Sequence, residues 1–112
     1  MNKLIYLANP YTGTKEEMEG RFESACEYAA RLMRDGHYVF SPIAHSHPPA
    51  QYGLPKDYAY WKGYCELMIP KCDKMIVLML KGWSDSVGVT AEIELAQSLN
   101  MPIEYISPYS FT

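Results

Sequence analysis

Lys74 to Leu80 reads KMIVLML, an apolar run with no alternation. An unbroken run of that length describes a strand buried on both faces, because a half-buried strand would alternate. Only a sheet covered by helices on both sides supplies such a place. The run therefore commits the chain to an α/β architecture with a parallel sheet. The rest of the sequence can be fitted around it. Lys3 to Leu7 (KLIYL) is a second apolar strand, ended by the turn chemistry of Asn9-Pro10-Tyr11-Thr12-Gly13. Thr14-Lys15-Glu16-Glu17 is a capping box. Phe22, Ala25, Cys26, Ala29, Leu32 and Met33 follow at three- and four-residue spacing, which makes one apolar face of a long helix. Gly36 stops that helix, and His37 to Phe40 reads as the next strand. Ser41 to Pro55 holds Pro42, Pro48, Pro49, Pro55 and Gly53, so a long loop with neither helix nor strand is expected there. Asp57 to Ile69 reads as a second helix ended by Pro70, Val87 to Asn100 as a third, and Ile103 to Ile106 as the last strand. The elements alternate, as helices on both faces of one parallel sheet require.

Composition narrows the partners. The 112 residues are expected to form one domain, residues 1–112, and carry a net charge of −3. No basic run occurs, which argues against a nucleic-acid polymer held through its phosphates. A membrane span needs about 20 apolar residues, so no membrane partner is expected. Met1 to Leu7 is too short and too lightly charged for a signal peptide. Cys26, Cys65 and Cys72 form no CxxC pair, which fits a reduced, cytoplasmic protein. Ten residues are Tyr. That excess of amphipathic rings suggests contact surfaces, for a ligand or for another subunit.

In an open parallel sheet, ligands bind beyond the carboxyl ends of the strands. That rule selects Ala8 to Gly13, with Ala8, Asn9 and Tyr11 as candidate contacts, then Ser41 to Pro55, then Gly82 to Gly88. The last segment opens a helix, whose free N–H groups and dipole favour an anion near Ser86 and Gly88. Ser86 as a plain N-cap is the competing reading. Glu92 lies on the same helical face as Gly88, Leu95, Ala96 and Leu99, whereas Glu94, about 200° round, points outward. An acid on the apolar side of a helix near the ligand end of the sheet is either a reacting group or a carboxylate held by helix amides or a Tyr hydroxyl. His45 and His47 form an H-x-H pair, but no further ligands accompany them, so substrate contact or loop packing is expected and no metal or cofactor. Asp73 opens strand three at the far end, roughly 20 Å from these loops, and reads as a junction residue.

These motifs resemble a known superfamily. Ile5-Tyr6-Leu7-Ala8-Asn9-Pro10-Tyr11 resembles the opening strand and loop of the nucleoside 2-deoxyribosyltransferase superfamily. Ser86-Val87-Gly88-Val89-Thr90-Ala91-Glu92 resembles its S/D-x-G-x-x-x-E catalytic segment. Phe40-Ser41-Pro42-Ile43-Ala44-His45-Ser46-His47-Pro48, Tyr52-Gly53-Leu54-Pro55, Cys72-Asp73 and Gly82-Trp83 resemble a small bacterial and phage family of unassigned function within it. The resemblance implies a three-layer flavodoxin- or Rossmann-like fold, with a parallel sheet of four to five strands in the order 2-1-3-4. It implies N-glycosidic bond chemistry on a nucleoside or its 5′-monophosphate, with Glu92 as nucleophile, Tyr6 contacting the sugar and orienting Glu92, and Ser86 favouring a phosphate. A homo-oligomer is implied as well, in which the second-helix aromatics Tyr58, Tyr60 and Tyr64 mainly form an interface that completes the site. One departure stands out. The superfamily's second carboxylate, on the helix before strand three, falls here on Cys65. That substitution leaves open a silent nucleotide-binding module as the alternative to an enzyme.

Overall fold

The computed structural model describes residues 3–108. Strand β1 spans Leu4–Ala8, helix α1 Lys15–Arg34, strand β2 Tyr38–Phe40 and helix α2 Pro42–Ala50. Helix α3 spans Tyr58–Met68, strand β3 Lys74–Leu78, helix α4 Val87–Ser98 and strand β4 Ile103–Ile106. Short 3-10 turns at Ile69–Lys71 and Trp83–Asp85 lead into and away from β3. The sheet is parallel throughout, in the order β2-β1-β3-β4. The expected three-layer fold and strand order are thus present.

The unbroken apolar run is the central strand it promised. Met75, Ile76, Val77 and Leu78 are all buried, as are Ile5 to Ala8 beside them on β1. Successive residues face opposite layers. Ile5, Leu7, Ile76 and Leu78 meet Tyr28 and Ala29 of α1 on one side. Tyr6, Ala8, Met75 and Val77 meet Cys65 of α3 and Val89 and Ala96 of α4 on the other. Each right-handed crossover forces that division, since the path from β1 to β2 runs one way across the sheet and the paths through β3 to β4 run the other. The direction reverses between β1 and β3, which opens a crevice at their carboxyl ends.

Local chemistry fixes the ends of α1. Thr14 Oγ1 accepts from the Glu17 amide at 3.1 Å, and the Glu17 carboxylate accepts from the Thr14 amide at 2.9 Å. At the other end Gly36 takes φ +93°, and the Gly36 and His37 amides close on the Met33 and Leu32 carbonyls. Those bonds satisfy the carbonyls that a helix end leaves open. At the far edge from the crevice, Asp73 binds the start of β1: the Leu4 amide donates to its carboxylate and its own amide donates to the Leu4 carbonyl, both at 2.8 Å. Asp73 is the junction residue expected.

Ser41 to Pro55 is not a continuous loop. Residues 42–50 form α2, despite three prolines. The prolines count against a helix interior, but these sit at its ends. Pro42 follows the Ser41 cap, whose Oγ accepts from the Ala44 amide at 3.0 Å, where no intrahelical N–H is needed. Pro48 and Pro49 fall in the last turn, so they remove two late hydrogen bonds from a helix that ends at Ala50. Among the described residues no helix is long and apolar enough to cross a membrane.

Candidate functional site

Ser86 caps α4, its Oγ accepting from the Val89 amide at 3.2 Å. Its side chain therefore does the plain capping work, with the O–H still available as a donor. Further along the same helix the stripe defined by Ala96 turns Glu92 inward, where it is 4% exposed, while Glu94 stays exposed. Glu92 meets Tyr6, which β1 presents to that layer. The Tyr6 hydroxyl donates to Glu92 Oε2. Burial pushes the Glu92 carboxyl up to about 7, against the downward pull of Tyr6 and Cys65. Burial, followed by the Glu92 charge, holds the Tyr6 phenol well above its ordinary range. Tyr6 is therefore a fixed donor, and Glu92 is an acid that changes charge near neutrality.

Glu92 opens into a cleft of about 540 Å³ at the crevice between β1 and β3. All three segments chosen by the strand-end rule contribute to it. Asn9, Tyr11, His47, Ser86 and Gly88 line it together with Glu92. Asn9 is buried and its Nδ2 donates to the Pro10 carbonyl at 2.9 Å. The Tyr11 hydroxyl and His47 Nδ1 are 2.7 Å apart, Gln51 Nε2 approaches the same nitrogen at 3.2 Å, and the imidazole stacks on Phe22 at 4.4 Å. Burial lowers the His47 pKa, which favours the neutral ring. Arg21 of α1 ties the first and third segments together, donating to the Tyr11, Thr12 and Lys81 carbonyls at 3.2, 2.8 and 3.3 Å.

Three of the expected site residues do not line this cleft. Ala8 is fully buried, paired with Val77 in the sheet. Tyr6 is also fully buried and does not line the cleft; it meets the cleft residues Glu92 and Cys65 from behind. His45 is exposed and turned toward Phe40 and Tyr64, with ring centroids 5.8 and 5.7 Å away. The H-x-H pair splits because it lies on a helix, where a step of two residues is about 200°. Tyr52, at 90% exposure, is outside as well.

Sequence reasoning also missed contributors. Lys56, Asp57, Tyr58, Trp61 and Tyr64 line the cleft, so the aromatics of α3 face it in part, and only Tyr60 of the group stays outside. The spacing of Tyr58, Trp61 and Cys65 is that of one helical face, a signal that was available. Cys65 is buried in the cleft wall and interacts with Glu92, Tyr6 and Tyr58. Burial, then the Glu92 charge, pushes its thiol up to about 12, so it is neutral. Among the described residues no group of three or more His, Cys, Asp or Glu side chains could hold a metal ion.

Comparison with solved structures finds the 2-deoxyribosyltransferase of the psychrotolerant bacterium Bacillus psychrosaccharolyticus, with a TM-score of 0.61 and 24% identity over 94% of this chain and 72% of that one. This likeness shows the shared fold. No curated protein matches the sequence. One family model covers residues 3–107 and so nearly all of the sheet, its helices and the cleft. The chain thus belongs to the family described as Domain of unknown function (DUF1937).

Proposed function

We propose that this chain breaks or transfers the N-glycosidic bond of a (deoxy)nucleoside or its 5′-monophosphate. The observation that carries the reading is Glu92, a buried acid held by Tyr6 and open to a cleft at the switch point of the sheet. An ionised Glu92 oxygen attacks the anomeric carbon while the bond to the base breaks, and both electrons of that bond leave with the base. The resulting glycosyl ester passes to water or to a second base. A carboxylate stabilises the oxocarbenium-like centre on the way, and a largely apolar cleft strengthens that attraction. The shared fold with a 2-deoxyribosyltransferase supports this class of reaction. The start of α4, the Ser86 hydroxyl, Arg21 and Lys56 all border the same cleft and favour a 5′-phosphate on the substrate.

Cys65 favours a second reading, a nucleotide-binding module without turnover, since a neutral thiol stands where the resemblance expects a second acid. Incubation with the four deoxynucleoside 5′-monophosphates, with free base as the readout, separates the two. The enzyme reading expects base release that falls by at least about 10³-fold in Glu92→Ala. Tight nucleotide binding without base release selects the silent module.

A further inference from the structure

A base that departs with both electrons of its glycosidic bond needs a donor where that charge collects. The Cys65 thiol is a weak donor. Tyr58 lies seven residues before it on α3, two turns away on the same face, and both line the cleft with Glu92. The Tyr58 ring is pinned. A Cβ built on Gly88 would lie 2.9 Å from Tyr58 Cδ1, so the ring fills the space that the glycine leaves. The hydroxyl interacts with the Cys65 thiol and lies in range of the Glu92 charge. Sulfur is a weak acceptor, so this donor exchanges readily for a better one. Three ionisable groups of the cleft fit the task less well. Asp57 and Asp85 are exposed, and a carboxylate only accepts once ionised. His47 is engaged with Tyr11 and shows no interaction with Glu92.

We propose that Tyr58 is the hydrogen-bond donor to the departing base, performing the task for which Cys65 is unsuited. This rests on the N-glycosidic reading above. As the bond from Glu92 to the anomeric carbon forms, the bond from that carbon to the base nitrogen breaks. The electron pair spreads over the base, and the Tyr58 O–H hydrogen-bonds the ring nitrogen or carbonyl oxygen that carries it. The phenol keeps its own proton, and the released base takes one from water. Burial, with Cys65 and Glu92 adding to it, raises the Tyr58 pKa, which suits a donor that never ionises.

Tyr58→Phe tests this, because it keeps the ring against Gly88 and removes only the oxygen. Two kinds of substrate are compared: the four deoxynucleoside 5′-monophosphates, and the 7-methylguanine counterpart, whose cationic base leaves neutral and needs no donor. The expected result is a loss of about 10²-fold on the first kind and less than about threefold on the second. Adding Cys65→Asp to Tyr58→Phe is expected to restore part of the loss. Equal slowing of both kinds, or slowing of neither, overturns the assignment. If the unaltered protein releases base from no substrate, the N-glycosidic reading fails on its own, and the donor is then read by calorimetric binding of the free bases. Affinity at least about tenfold lower in Tyr58→Phe upholds the donor, and unchanged affinity overturns it.

Discussion

The two walls of the cleft are built on different principles. The wall formed by β1 and α4 is dry: Tyr6 is 0% exposed and Glu92 4%, and the bond between them joins residues 86 positions apart. The wall formed by α2 and the start of α3 is half open, with Tyr64 at 49% exposure and His47 leaning on Tyr11 and Phe22. The first wall is part of the core, so packing sets its geometry before any ligand arrives. The second is made of aromatic side chains at the surface of short helices, where a planar ligand can be covered and released. In the proposed reaction the attacking acid thus sits in the packed wall, and the base would meet the open one.

The largest expected effect tests whether the first wall is as dry as its geometry implies. The Glu92 carboxyl stands at about 7 in the folded chain against 4.5 for a free one. Between those values the folded form binds more protons than the unfolded form, so stability falls as pH rises through that window and is level on either side. The loss on completing the window is about 3 kcal/mol. Glu92→Gln keeps the shape and removes the ionisation. Urea titrations at pH 5 and pH 8 are expected to show the unaltered protein losing stability toward pH 8 relative to Glu92→Gln, the variant itself gaining a little because the lowered His47 pKa works in the opposite direction. The same change between the two pH values in both proteins would mean that water reaches Glu92 and that the walls differ less than described.

A smaller effect sharpens the role of Tyr6. Its hydroxyl is the foremost influence pulling the Glu92 pKa down. Tyr6→Phe removes that pull, so the pH at which Glu92 ionises moves above about 7. The acid limb of the pH profile of base release should shift upward by about one unit, with a loss of about fivefold at pH 7 that is recovered at higher pH. A loss that is the same at every pH would make Tyr6 a substrate contact and not a positioning residue.

How much of each wall can be read from the sequence follows from the same contrast. The dry wall leaves strong local marks. An unbroken apolar run can only be a covered strand, and an acid set on the apolar stripe of a helix cannot face solvent. Glu92 was legible on those grounds. Its partner was not legible from spacing, since no local pattern links Tyr6 to Glu92, and resemblance alone connected them. The open wall carries marks that mislead. Prolines at 42, 48 and 49 look like a loop until it is seen that a short helix tolerates them at its two ends. A surplus of tyrosines marks contact surfaces without saying whose: α3 turns Tyr58, Trp61 and Tyr64 toward the cleft and leaves Tyr60 outside it. Side chains that are half exposed in either role give the sequence no means to choose between the roles.

The smallest expected effect depends on that hidden helix. In an extended loop the two histidines of the H-x-H pair, two residues apart, would project to the same side. On α2 they project about 200° apart, so His47 enters the cleft while His45 is exposed and packs near Phe40 and Tyr64. His45→Ala then removes only an exposed ring and should change stability by less than about 0.5 kcal/mol. His47→Ala removes one of the partners of Tyr11 and the ring stacked on Phe22, and should cost about 1 kcal/mol or more. Urea titration of the two variants under one set of conditions reads the difference. Equal costs would show that residues 42–50 do not hold their helix in solution, and with it would fall the division of the pair on which this side of the cleft is built.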